Sequence, residues 1–236
     1  MEVNYDNIKV IGFDADDTLW VNETYFREAE QEFAKLLSHY ETPNKIDQEL
    51  YMMEIKNLPL YGYGVKGFML SMVEMAIELS NYNASNKIIE DVLNIGKDMI
   101  NKPVELLAGV EDVLRELSGN YKLIVATKGD LLDQERKLEK SGLLDYFHHI
   151  EVLSEKKEEN YQKLLKHLDI DPASFLMIGN SLKSDILPLI NIGAKAIHVP
   201  FHTTWQHETV TNDELNGNEY QTVKTLTEIL DYLKIK

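Results

Sequence analysis

Five short apolar runs, each set apart from the next by a stretch of helical character, constrain this chain more than any other feature. They fall at residues 8–13, 121–128, 149–153, 175–179 and 194–199, with cores such as VIGF, LIVAT and FLMIG. Runs of this length suit buried strands better than helices. Between them, residues 110–117, 131–140, 158–168 and 184–192 carry apolar positions at helical spacing, and Gly142 supplies a usual helix stop after the second. A last helix is expected over 223–236. Strands separated by helices predict a parallel sheet, doubly wound, with helices on both faces.

The rhythm is interrupted once. Between residues 21 and 101 no strand stands out, whereas 23–40, 68–79 and 88–100 have helical periodicity, the last two separated by an Asn/Ser cluster at 80–86. The reading is therefore an α/β chain: a Rossmann-like core over 1–20 and 102–236, and an all-helical insert over 21–101. At 236 residues the chain is long enough for one or two domains. No internal repeat or low-complexity segment is present.

Hydrophobic residues at 44% and charged residues at 27% describe an ordinary folded protein. The net charge of −16 argues against a surface built for nucleic acid, which needs clustered Lys and Arg. An anionic substrate would need locally placed cations or a metal. With no cysteine, disulfides, thiolate chemistry and Cys-based zinc sites are excluded. The first ten residues lack the apolar stretch of a secretory signal, and no window approaches the roughly 18 apolar residues of a membrane span. The expectation is a soluble, cytoplasmic protein with no membrane partner.

Ligands of doubly wound sheets bind beyond the carboxyl ends of the strands. Those ends read Asp14-Ala15-Asp16, Thr127-Lys128-Gly129, the region 154–157, and Gly179-Asn180-Ser181. Asp14, Asp16 and Asp17 are three carboxylates within four residues, at the mouth of the core. A turn or helix N-cap can use one or two acids. A divalent cation accounts for more, because Mg²⁺ takes oxygen ligands. Four strand ends, each carrying a polar or ionisable residue suited to phosphate or metal, outweigh the turn explanation.

In this order, FDADDT, IVATKG, the Lys156-Lys157 pair and IGNSLKSD resemble the four motifs of the haloacid dehalogenase superfamily of aspartate-nucleophile phosphotransferases, over the whole chain. The insert resembles the small helical cap that many members carry after the first motif. The resemblance implies Asp14 as nucleophile, and Asp16 as general acid and then base. It implies Mg²⁺ held by Asp14, the Asp16 carbonyl, Asn180 and Asp185, Thr127 donating to the phosphoryl group, and a third-motif lysine countering its charge. Lys156 is favoured, because Tyr161 then falls at a familiar spacing, and Lys157 stays open. Lys66, Lys128 and Gly129 are the expected substrate contacts, Lys66 from the glycine- and tyrosine-rich stretch 60–67.

Three departures stand out. Asn180 replaces the commoner Asp, Asp17 the commoner Gly, and Lys128 the frequent Asn. Asp16 favours phosphate over carbon–halogen chemistry, because halide needs no proton on leaving. The implied activity is a Mg²⁺-dependent phosphatase acting on a small phosphorylated metabolite. A sugar-phosphate mutase, a phosphorylation-controlled receiver and a weakly catalytic binding protein are the alternatives. Met52, Met53, Met69, Met72 and Met75 are expected to pack within the insert, and His198, His202 and His207 to be structural or exposed. The substrate and the choice between monomer and homodimer stay open.

Overall fold

The structure, a computed structural model, describes residues 4–215 and 217–233. Six strands, β1 (Val10–Phe13), β2 (Lys122–Lys128), β3 (His149–Leu153), β4 (Phe175–Gly179), β5 (Lys195–His198) and β6 (Gln221–Thr222), form one sheet in the order β3-β2-β1-β4-β5-β6. β1 lies parallel between β2 and β4, with Gly12 beside both Ile124 and Met177. A strand paired on both edges and covered on both faces has no side exposed to water, so all four of its residues are buried.

The helices are α1 (Glu23–Leu36), α2 (Pro43–Tyr61), α3 (Val65–Leu79), α4 (Asn86–Asn101), α5 (Val110–Ser118), α6 (Leu131–Ser141), α7 (Glu158–His167) and α8 (Leu187–Asn191), besides shorter turns. Strand residues alternate between two cores. Ile11, Phe13, Leu123, Val125, Leu176 and Ile178 pack on one face with Val113 and Leu117 of α5. Val10, Ile124, Ala126, Phe175 and Met177 pack on the other with Tyr161, Leu164 and Leu165 of α7. This is the period-two alternation of a sheet covered twice.

The chain divides into two compact units. One comprises Met1–Glu23, Val104–Thr127 and Lys137–Lys236, and the other Thr24–Pro103 with Lys128–Arg136. The second has its own core, in which Phe33, Leu37, Ile46, Leu50, Met72, Met75 and Val92 from α1 to α4 come together. Residues 128–136, which sequence placed with the sheet, thus group with the helices. Met53, Met72 and Met75 are buried there, but Met52 is 65% exposed, against expectation, on the outer side of α2.

Three elements differ from the sequence reading. The helix α2, which contains two prolines, went unassigned; Pro43 sits in its first turn, where a missing N–H is harmless. The expected helix over 223–236 is instead β6 followed by a tight 3-10 turn, Leu226–Asp231. Val223, Leu226 and Ile229 are buried at a spacing of three, which fits 3.0 residues per turn better than 3.6; residues 234–236 lie outside the described chain. The stretch 184–192 begins as a π-type turn, Leu182–Ile186, before α8. Pro188 has no N–H for the Ser184 carbonyl, which accepts from the Tyr161 hydroxyl at 3.0 Å instead.

Phe33 is fully buried among these helices. Phe33→Ala is expected to destabilise the helical unit by about 3–5 kcal/mol, measured as a lower urea midpoint by circular dichroism.

Candidate active site

The strand order fixes where a site can form. From β1 the chain winds outward through β2 to β3, then returns to the opposite side of β1 at β4. The carboxyl ends of β1 and β4 therefore border the crevice at the switch point. Asp14 follows β1 directly, Asn180 follows β4, and the Asp14 amide donates to the Ile178 carbonyl at 2.9 Å. Thr127, one residue from the end of β2, is buried.

Lys156, just before α7, joins these ends. Its Nζ donates to Asp14 Oδ1 at 2.5 Å and to Asp185 Oδ1 at 2.6 Å. Its side chain is 1% exposed, and those of Asp14 and Asp185 are 9% and 1%. Burial opposes the Lys156 charge, but the two carboxylates outweigh it and hold the ammonium well above its ordinary pKa. Burial pushes the Asp14 carboxyl up to about 7, with Lys156 pulling against it and Asp185 adding to the rise. Lys157, in contrast, is exposed at the start of α7, so of the two lysines only Lys156 reaches Asp14.

The loop after β1 separates its acids. Asp16 Oδ1 accepts from Trp20 Nε1 at 2.7 Å and from Lys137 Nζ at 2.9 Å. Lys137 also donates to Asn22 Oδ1 at 2.8 Å. Asp17, in the left-handed region at φ 61°, turns its carboxylate to the amides of Asn22 and Glu23 at 2.8 and 3.0 Å, where α1 begins. Glycine suits such a φ, and Asp is among the few other residues that tolerate it. Burial raises the Asp17 carboxyl to about 7, although the two amides oppose this. Thr18 Oγ1 lies 3.2 Å from Asp14 Oδ2 and 3.3 Å from Asn180 Oδ1.

Residues 180–185 form a braced loop that carries Asp185. Asp185 Oδ2 accepts from the Ser181 amide at 3.0 Å. The Asn180 carbonyl accepts from His198 Nε2 at 3.0 Å, which fixes the histidine tautomer and makes it a structural residue. His202 and His207 lie against Phe201 and Trp205. Among the described residues no three His, Asp or Glu side chains form a metal-binding group.

Asp14, Asp16, Thr127, Lys156, Asn180 and Asp185 thus all belong to the sheet unit. Lys66, Lys128 and Gly129 belong to the helical unit. There Lys66 pairs with Asp130 at 2.9 Å, and Lys128 Nζ lies 4.3 Å from the Tyr63 ring centroid. Gly129, at φ 135°, packs against Gln134. Most of 60–67 proves helical, leaving only Gly62, Tyr63 and Gly64 between α2 and α3. Trp20, Lys137 and Thr18 were not singled out by sequence. Trp20 and Thr18 lie within FDADDTLW itself, but nothing in the sequence signals Lys137, 121 residues beyond Asp16.

The profile of the haloacid dehalogenase-like hydrolases matches residues 8–193. The chain belongs to that family. N-acylneuraminate-9-phosphatase of Homo sapiens is 26% identical over 200 residues, 80% of this chain and 81% of that protein. Glyceraldehyde 3-phosphate phosphatase of Pyrococcus abyssi is 32% identical over 89 residues, 36% of this chain and 37% of the relative. A haloacid dehalogenase-like family hydrolase from Xanthomonas campestris shares the fold with a TM-score of 0.79 and 40% identity, covering 90% of each chain.

Members of this family generally use Mg²⁺. The donor set fits that ion. Thr18 has one hydroxyl hydrogen for two acceptor oxygens, Asp14 Oδ2 and Asn180 Oδ1, and cannot satisfy both at once. These hard oxygens, with the Asp185 carboxylate, are the type Mg²⁺ takes.

Removing the ammonium would leave two buried carboxylates facing each other. Lys156→Met is expected to lower stability by about 3–5 kcal/mol in chelator, read from urea unfolding, with part of the loss recovered on adding Mg²⁺.

Proposed function

We propose that this haloacid dehalogenase-family phosphatase hydrolyses a small phosphate monoester in two steps, through an aspartyl-phosphate on Asp14. The observation that carries the reading is Lys156 lying between Asp14 and Asp185 at the switch point of the sheet. A nucleophilic carboxylate and a fixed cation side by side suit attack on a phosphoryl group.

In the first step an Asp14 oxygen attacks phosphorus, the ester P–O bond breaks, and Asp16 gives its proton to the leaving oxygen. In the second, Asp16 takes a proton from water, the water oxygen bonds to phosphorus, and the P–O bond to Asp14 breaks to release phosphate. Trp20 and Lys137 hold the Asp16 carboxylate in one orientation for both transfers. Lys156 and the Thr127 hydroxyl counter the charge on the phosphoryl oxygens, a largely electrostatic task. Mg²⁺, held by Asp14, Asn180, Asp185 and the Asp16 carbonyl, would supply the positive charge that lets one anion approach another.

Lys66, Lys128 and Gly129 are proposed contacts for the rest of the substrate. The relatives are named for N-acylneuraminate 9-phosphate and glyceraldehyde 3-phosphate cleavage. What extends to this chain is their shared class, a small phosphorylated metabolite.

The test is release of inorganic phosphate from an aryl phosphate, with Mg²⁺ and with chelator. Release is expected only with Mg²⁺, falling to background in Asp14→Asn. An Asp14→Asn variant as active as the wild type would sink the reading.

A further inference from the structure

Downstream of β5 the chain makes a single 3-10 turn, Gln206–Glu208, and its last side chain reaches into the 180–185 loop. Glu208 Oε2 accepts from Ser181 Oγ and from Ser184 Oγ, each at 2.5 Å. Two hydroxyls converging on one carboxylate oxygen, both serines being buried, make short charge-assisted hydrogen bonds. Both serines belong to the frame that aims Asp185. The Ser181 amide holds Asp185 Oδ2 at 3.0 Å, and the Ser181 carbonyl accepts from the Asp185 amide at 2.8 Å. The Ser181 hydroxyl also accepts from the Ser184 amide at 3.0 Å. Lys183 Nζ, donating to the His207 carbonyl at 2.6 Å, is a second tether of the same turn that touches neither serine.

We propose that Glu208 is a positioning residue: through Ser181 and Ser184 it fixes Asn180 and Asp185 in the arrangement that takes Mg²⁺. The inference rests on the metal-dependent reading above. Its physical basis is the neutral amide at Asn180. An amide oxygen attracts a divalent cation less than a carboxylate does, so more of the affinity depends on the ligands being held in place beforehand. Residues that orient ligands from behind typically change metal affinity about 10–100-fold when removed. Glu208 also adds one formal negative charge close behind the loop, which acts in the same direction.

The experiment is calorimetric titration of the full chain with Mg²⁺ alone, without substrate. Glu208→Ala is expected to weaken Mg²⁺ binding about 10–100-fold. Glu208→Gln, which keeps an acceptor oxygen, should lose less, and serves in place of the alanine variant if that one does not fold. Lys183→Ala, which loosens the turn without removing the Glu208 carboxylate or the serine hydroxyls, should lose less affinity than Glu208→Ala does. A variant lacking Glu208 and both serine hydroxyls should bind no worse than Glu208→Ala, because the three act as one unit.

Additive losses in that combined variant would make Glu208 act on the metal directly and overturn the positioning role. So would an equal loss in Lys183→Ala, or wild-type affinity in Glu208→Ala. A wild-type chain that takes up no Mg²⁺ would overturn the metal-dependent reading and the inference with it, whereas equal uptake by wild type and Glu208→Ala overturns the inference alone.

Discussion

Lys156, Asp14 and Asp185 come from three widely separated parts of the sequence, and together they are almost sealed from water. None of the three could be buried alone, since an isolated charge in such surroundings is strongly disfavoured. Two carboxylates brought together from the ends of two neighbouring strands require a cation between them, and the lysine supplies it at 2.5 and 2.6 Å. Such an arrangement contributes little net stability, because desolvation consumes most of the attraction; apolar side chains of equal volume would do as well or better. The order of the sheet, the placement of β1 at its centre and the bracing of residues 180–185 all serve to hold these groups in register.

Small residues make that register possible. On Gly12 a Cβ would come within 2.5 Å of the Phe175 ring, so the central strand is bare where the neighbouring aromatic crosses it. On Gly179 a Cβ would overlap the Asp185 carboxylate itself. The end of β4 is therefore stripped of side chain so that Asp185 can lie against the backbone and turn Oδ1 toward Lys156. Pro188 acts through hydrogen bonding. Pro188 has no N–H to offer the Ser184 carbonyl, and that carbonyl accepts from the buried Tyr161 hydroxyl, which ties α7 to the 180–185 loop. Both effects are local consequences of residue type, and each moves a charged group by constraining the backbone beneath it.

Elements with a strong apolar period were legible in the sequence: β1, β2 and β4 because they are buried on both faces, α5 and α7 because each has one apolar stripe. The helix α2, which carries two prolines, was not, nor was β6, two residues long and partly exposed. For the site, the motif order pointed to Asp14, Thr127, Lys156 and Asp185. It favoured Lys156 over Lys157 only by the spacing to Tyr161, because adjacent residues differ mainly in which way the backbone turns them. Lys137 and Glu208 carried no signal. A charged residue on a helix or in a loop reads as solvated until tertiary structure brings a buried partner to it, and no local spacing encodes partners 121 positions away, as for Lys137, or 24 and 27 away, as for Glu208.

The crowding of acids after β1 resolves into three separate electrostatic problems with three separate answers. Asp14 faces Lys156 across the switch point. Asp16 is turned to Lys137 and the indole N–H of Trp20. Asp17, held at a positive φ that rotates its side chain away from the other two, faces the first amides of α1, where the partial positive charge of a helix start favours an anion. Each carboxylate within four residues thus has its own donor set from a different part of the fold. That separation lets Asp14 and Asp16 sit two residues apart with different partners. The three donor sets come from α6, the loop before α7 and the start of α1, so the charge balance at the end of β1 depends on elements far apart in the sequence.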